Sequence, residues 1–280
     1  MLITEEVKET IKECYGIAPL HNPVNMAGIE AISTIMPNVP QVAVFDTAFH
    51  QTMEPKAFRY PIPNEYYTVD HVRRYGFHGT SHRYVSRKVC EYLGVKYEDQ
   101  KIICCHIGNG ASITAVMGGK SIDTSMGLTP TEGLMMGTRS GDVDPGALLF
   151  LMDKYKLTPA EMLNIINKKS GVMAISELSS DMREIVEGAE VKHDPKAQLA
   201  LDMYELKIIK YIGAYAAEMN GVDIIVFTGG VGENQFGTRE VVLNSLGYLG
   251  ITLDKKANDA TLHGKSGIIS TPDSKVKVVV

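Results

Sequence analysis

The 280-residue sequence has no apolar run near the roughly 18 residues that suggest a membrane span. Its first residues, MLITEEVKET, lack the basic start and apolar core of a signal peptide, so a cytoplasmic location is expected. A basic surplus is also missing. Twenty-eight Lys and Arg stand against 33 Asp and Glu, a formal net charge of −5, so nothing draws the chain globally to nucleic acid or to a membrane surface. Cysteine is scarce: Cys14, Cys90, Cys104 and Cys105 show no CxxC spacing, which excludes a disulfide scaffold and leaves reduced core residues. Two common phosphate-binding signatures are absent as well. Gly119-Lys120-Ser121 has Thr114 where a Walker A loop needs its first glycine, and Gly264-Lys265-Ser266 has Asp259 there. No GxGxxG supports a Rossmann dinucleotide site. His78 and His82 stand four apart, but the Glu of HExxH is missing and Gly79 weakens a helix, which argues against a metalloprotease. There is no repeat of fixed period and no low-complexity segment.

What is present is an alternation of strands and helices, the pattern of an α/β protein. The stretch from Lys101 to Pro130 organises it. An apolar run over 102–105 leads through His106-Ile107-Gly108-Asn109-Gly110 into a second run over 111–116, which predicts a tight hairpin closed by Asn-Gly at positive φ. On that strand Cys104 and Cys105 point to opposite faces. Thr4 is positioned to cap a helix ended near Gly16, and a second short helix stops at Pro37. Residues 42–45 read as a short buried strand, 50–70 as an irregular connection, and 81–93 as a helix ended by Gly94 and capped by Thr80 or Ser81. The glycine-rich 118–146 reads as a long functional loop. Helices follow over 158–168 and 196–220, the latter with Leu199, Met203 and Leu206 on a face expected to be buried. A strand over 224–227 opens into a second glycine turn, Gly229-Gly230-Val231-Gly232, followed by a helix over 238–246. The final residues, 275–280, form a strand pattern.

Several side chains are candidates for chemistry. Glycines at 108 and 110 remove Cβ atoms, so a phosphate can approach backbone N–H groups. Both glycine turns follow apolar strands directly, and ligands of α/β sheets bind at strand carboxyl ends. Asp46 ends the 42–45 run. It either caps the next turn or acts as an acid/base or orienting group beside a cleft. His78 precedes the 81–93 helix as a donor to phosphate or carbonyl. Arg139, between Gly137 and Gly141, is either a solvated surface residue or a bidentate clamp on an anionic group.

Six segments in order resemble the acetate kinase family of the actin/hexokinase/Hsp70-type phosphotransferases. They are Ala18-Pro-Leu-His-Asn-Pro23, Val44-Phe-Asp-Thr-Ala-Phe-His-Gln-Thr-Met53, Tyr75-Gly-Phe-His-Gly-Thr-Ser-His82, Cys105-His-Ile-Gly-Asn-Gly110, Met136-Gly-Thr-Arg139 and Phe227-Thr-Gly-Gly-Val-Gly-Glu-Asn234. The resemblance implies a ribonuclease H-like domain with a mixed sheet and flanking helices over 47–280, plus a remnant of a second such domain over 1–46. It implies Mg²⁺-dependent phosphoryl transfer between ATP and acetate, giving acetyl phosphate and ADP, by a homodimer. It assigns catalysis to Asp46, His78, Arg139 and His21. It assigns the nucleotide phosphates to His106, Ile107, Gly108, Asn109 and Gly110. The surroundings of adenosine fall to Asp181, Met182, Arg183, Gly230, Val231, Gly232, Glu233 and Asn234. No metal-ligating residue is assigned.

The family's first strand with its Asn-Ala-Gly-Ser-Ser-Ser turn, an Arg in an HRVVHGG-like segment and a closing Asn-Glu-Glu segment find no match in this sequence. The expectation is therefore an acetate kinase stretch that is incomplete and weakly active by itself. The alternatives are a kinase for propionate or another short carboxylate, and a non-catalytic nucleotide-binding or dimerisation module.

Overall fold

A computed structural model describes residues 1–16 and 22–280. Its centre is a five-stranded sheet: β1 (Lys101–Ile107), β2 (Ala111–Met117), β3 (Lys120–Thr124), β4 (Ile224–Thr228) and β5 (Lys277–Val279), in spatial order β3-β2-β1-β4-β5. β1, β2 and β3 form an antiparallel meander, while β4 and β5 run parallel to β1. The sheet is thus mixed, as expected. β1 is apolar nearly throughout because helices cover both of its faces. Ile103, Cys105 and Ile107 join the larger core with Leu201, Tyr204 and Ile208 of the long helix Pro195–Glu218. Ile102 and Cys104 face the other way, against Val89 and Cys90 of the helix Gly79–Leu93. Each fully buried isoleucine contributes about 1.5–3 kcal/mol. The two adjacent cysteines do point to opposite faces, and all four thiols are free.

Local chemistry sets the helix ends. Thr4 accepts from Val7 N–H at the start of Glu5–Glu13, and Asp194 accepts from Lys196 N–H ahead of Pro195. Thr158 and Glu161 form a reciprocal capping box for Pro159–Lys168. The helix Asn22–Ile35 stops short of Pro37.

Several expectations need correction. Residues 42–45 are not a buried strand: Val42 makes one isolated bridge to Leu2, and Val44 is 73% exposed. A strand is buried when another layer packs on its face, but among the described residues this run joins neither core cluster and pairs with Met1–Ile3 alone, through Ile3 N–H to Gln41 O and Ala43 N–H to Met1 O. The hairpin loop holds three residues, since Ile107 pairs with Ala111, and neither Asn109 nor the flanking glycines have positive φ. Those glycines serve close approach instead of a two-residue turn. β3 lies inside the stretch read as one long loop. The helix Pro145–Tyr155 was not legible: its LLFLM run has no 3.6-residue alternation, and Leu149 and Phe150 are exposed. In Pro195–Glu218 the face read as buried is the exposed one, with Leu199 at 52% and Leu206 at 48%. Ala197, Ala200, Leu201, Tyr204, Ile208, Ile212 and Tyr215 face the core. The helix is apolar on both sides, so periodicity could not choose. The second glycine turn is itself a short helix, Gly229–Asn234, in which only Gly229 has positive φ; a Cβ there would lie 2.8 Å from Ile107 O. Neither Gly-Lys-Ser triplet precedes a helix.

Candidate active site

The hairpin tip and the start of Gly229–Asn234 lie side by side, because His106 and Thr228 are register partners at the carboxyl ends of the parallel strands β1 and β4. From the hairpin side, Gly110 approaches two donor side chains of the site, Arg139 and His78. A Cβ on it would lie 3.3 Å from Arg139 Nη1 and 3.7 Å from His78 Nε2, so only glycine leaves that space open. The rings of His78 and His106 stack at 4.2 Å. Asn109 O accepts from Gly137 N–H, which ties the tip to the loop that carries Arg139. The absent side chain of Gly137 makes this possible, since its Cβ would overlap Asn109 Oδ1 and sit 3.2 Å from Ser180 O.

Asp46 is exposed, and two of its oxygens bind the start of Gly79–Leu93: Oδ2 takes His78 N–H at 2.7 Å and the carbonyl takes Gly79 N–H at 2.8 Å. It therefore caps a helix, but one thirty-two residues ahead. The cap is not Thr80 or Ser81. Both lie inside the first turn, and the N-cap position is His78 itself, at φ 56° and ψ 22°. This left-handed backbone turns the His78 ring away from the helix and onto β2, where Nδ1 meets Ser112 Oγ at 2.9 Å.

Arg139 is half-buried, not a solvated surface residue. Nη1 donates to Pro130 O at 3.2 Å and weakly to Met136 Sδ, and no carboxylate pairs with it among the described residues. Burial lowers its pKa, yet a guanidinium stays charged. A half-buried cation with donors to spare is suited to an incoming anion.

Four histidines meet behind this space, two of them unforeseen: His50 and His82. His50 Nε2 lies 2.9 Å from Phe77 O and its Nδ1 2.8 Å from Ser121 Oγ, while His82 Nε2 lies 2.7 Å from Ser112 Oγ. Only the quoted segments containing them signalled these residues. Burial pushes His50 down to about 4, and burial plus the neighbouring His106 pushes His78 to about 4 against the pull of Asp46. His82 is driven well below its ordinary value by burial and by the other three rings, and His106 is lowered by burial, opposed by Asp46 and Glu233. All four are thus neutral at pH 7, so the rings supply hydrogen bonds without adding charge beside Arg139.

The remaining predicted residues are dispersed. Ile107 and Met182 have their side chains in the core. Asp181 and Arg183 pair with each other at 2.5 Å, which holds the Asp181 carboxyl down at about 2. Within Gly229–Asn234, Glu233 accepts from Thr228 Oγ1 and Gly229 N–H, and Asn234 bonds Gly230 O and His263 N–H. Gly230 faces open space, Val231 packs against the core, and Gly232 is buried. His21 lies outside the described residues. A groove of about 530 Å³ beside the site is walled by Thr228, Glu233, Tyr84, Val85 and Lys265.

Residues 1–280 match the family described as the Acetokinase family. The chain belongs to the acetokinase family. It is 59% identical to the acetate kinase of Thermotoga maritima over 281 residues, covering 100% of this chain and 70% of that relative. The acetate kinase of Bacteroides fragilis is also 59% identical, with the same coverage. Among solved structures, Porphyromonas gingivalis acetate kinase superposes with a TM-score of 0.95 at 54% identity over 100% of this chain and 70% of that one. A propionate kinase from Francisella tularensis gives 0.94 at 42% identity, covering 100% of this chain and 71% of that one. The fold is therefore that of this family's kinases, and the chain is a phosphotransferase-family member spanning about 70% of the curated relatives' length. Among the described residues, no helix is long and apolar enough to cross a membrane.

Proposed function

We propose that the chain carries out reversible phosphoryl transfer between ATP and acetate, giving acetyl phosphate and ADP. The observation that carries this reading is the convergence of Arg139 Nη1 and His78 on the open space beside Gly110, at the carboxyl ends of β1 and β4. Phosphoryl transfer asks little covalent chemistry of a protein. It needs reacting groups held in line and donors aimed at the oxygens of the transferring group. Arg139 supplies charge and planar donors to those oxygens, and His78 supplies a neutral donor. Backbone groups of His106 to Gly110 hold the nucleotide phosphates. Asp181 to Arg183 and Gly230 to Asn234 flank the adenosine, and the bare Gly230 leaves room for it. Asp46 orients His78 through the 2.7 Å bond and presents a carboxylate to the acceptor side.

Bound with the nucleotide, Mg²⁺ would supply positive charge that offsets the phosphates. Among the described residues no three His, Cys, Asp or Glu side chains form a metal cage. Asp46, whose carboxylate spends only Oδ2 on the protein, would offer such an ion its other oxygen. Residues 1–46 would belong to the first family domain, since Ile11 and Met26 join neither core cluster of 47–280. The exposed Leu199, Met203 and Leu206 suit a homodimer interface.

The similarity to a propionate kinase supports a second reading, with propionate as the acceptor. One methylene is worth about 1–3 kcal/mol, so kcat/KM for acetate and propionate, measured by trapping the acyl phosphates as hydroxamates, should differ by roughly 10- to 200-fold. Preference for acetate supports the first reading; preference for propionate replaces it with the second; no acyl phosphate from either acid refutes both.

A further inference from the structure

The buried side of the histidine cluster fixes where its protons sit. His50 Nε2 faces the Phe77 carbonyl, which only accepts, so Nε2 carries the proton and the bare Nδ1 accepts from the Ser121 hydroxyl. His78 Nδ1 and His82 Nε2 share one oxygen, Ser112 Oγ, at 2.9 and 2.7 Å. Ser112 owns a single proton. Among the described residues no other acceptor reaches Ser112 Oγ, so that proton goes to one ring while the oxygen accepts from the other, which locks the two tautomers together.

The far nitrogen of His82 decides the direction. His82 has no exposed surface, and among the described residues its Nδ1 has no hydrogen-bond partner. A proton there would leave a buried N–H without an acceptor, the arrangement that native interiors most avoid. Neutral histidine side chains also favour the proton on Nε2 intrinsically. We infer that Ser112 and His82 are positioning residues for the phosphoryl site: His82 Nε2–H donates to Ser112 Oγ, the Ser112 hydroxyl donates to His78 Nδ1, and His78 is held with its own proton on Nε2. That proton faces the space beside Gly110 which Arg139 Nη1 also borders. The opposite tautomer would present a lone pair to the oxygens of a phosphoryl group and repel them. The role therefore rests on the phosphotransfer reading, while the proton placement rests only on the hydrogen bonds.

The test is a long-range ¹H–¹⁵N correlation spectrum of the chain with ¹⁵N-labelled histidine at pH 7. The expected result is that His50, His78 and His82 all show the Nε2–H signature. In Ser112→Ala, His78 should lose its single-tautomer pattern, and Ser112→Thr, which keeps the hydroxyl, should retain it. His78 found with its proton on Nδ1 in the unmodified chain overturns the inference, and this spectrum decides the matter even if Ser112→Ala does not fold. Kinetics form a second arm. Ser112→Ala should lower kcat at least about 10-fold with KM for ATP unchanged, and Ser112→Thr should restore it. Equal loss in both variants makes the serine merely structural and refutes the positioning role. If the unmodified chain shows Nε2–H on His78 but no acyl phosphate formation under any condition, the phosphotransfer reading falls and the proton placement stands.

Discussion

Replacing Arg139 by Ala separates the site's chemistry from the fold more cleanly than any other change. The guanidinium gives the protein little: one hydrogen bond from Nη1 to Pro130 O at 3.2 Å and a weak one to Met136 Sδ. Losing the first costs about 0.5–1.5 kcal/mol, and among the described residues no acidic partner is stranded. Against a typical stability of about 5–15 kcal/mol the variant stays folded. Catalysis should suffer far more. Removing one preorganised donor to developing negative charge costs about 2–4 kcal/mol of transition-state stabilisation, a fall of roughly 30- to 1,000-fold in kcat. Arg139→Lys keeps the charge but not the planar fork, and should recover only part of the loss. The assay is acyl phosphate formation trapped as hydroxamate, compared with the parent chain, alongside urea unfolding of each variant. A fall below about 3-fold in a folded Arg139→Ala would refute the assigned role. So would a loss of activity that tracks a loss of stability.

Three further outcomes follow from the same geometry. Gly110→Ala places a methyl 3.3 Å from Arg139 Nη1 and 3.7 Å from the His78 ring in a backbone any residue adopts, so turnover should fall about 10-fold or more while urea unfolding shifts by less than about 1 kcal/mol. Folding holds His50 and His78 at about 4 against an ordinary 6.5, His78 among His106, Asp46, Arg139 and His50, and His50 beside Phe77 O and Asp46. Their contribution to stability is therefore present above 6.5 and lost as pH falls towards 4, with a slope of up to about 1.4 kcal/mol per pH unit for each ring; urea unfolding across that window reads it, and a flat profile contradicts it. Arg239 is fully buried and gives all five donors to Asn258 Oδ1 and the carbonyls of Gly232, Glu233, Asn258 and Thr261. Arg239→Ala strands those acceptors and should cost more than about 3 kcal/mol in urea unfolding, with loosened nucleotide binding at Gly229–Asn234; a cost under 1 kcal/mol contradicts this.

The sequence carried the parts of this site that lie on continuous motifs. The hairpin, Asp46, His78 and Arg139 were each legible from their neighbours, and the sheet's central strands from their unbroken apolar runs. What it could not show were links across the chain. Ser121 reaches His50 over 71 residues and Ser112 reaches His82 over 30, and an isolated serine on a strand carries no local sign of such a partner. Arg239 was equally silent, because an Arg in a helix pattern usually faces solvent. The errors have physical causes too. The 42–45 run has the composition of a strand, but among the described residues it joins neither core cluster. Leu199, Met203 and Leu206 share a helical face, yet the opposite face carries Leu201, Tyr204 and Ile208, and only the packed sheet distinguishes them. Of the two reasons read for the hairpin's glycines, the positive-φ turn does not hold, whereas close approach fits Gly110, whose missing side chain leaves room beside Arg139 and His78.

If the hairpin tip, the Arg139 loop and Gly229–Asn234 form one nucleotide-phosphate site, calorimetric titration of the chain with ATP, with and without Mg²⁺ and with Gly110→Ala as the control, will reveal it. One ATP should bind saturably per chain, more tightly with Mg²⁺ and more weakly in Gly110→Ala. Absence of binding at millimolar ATP, or binding indifferent to Gly110→Ala, would contradict it.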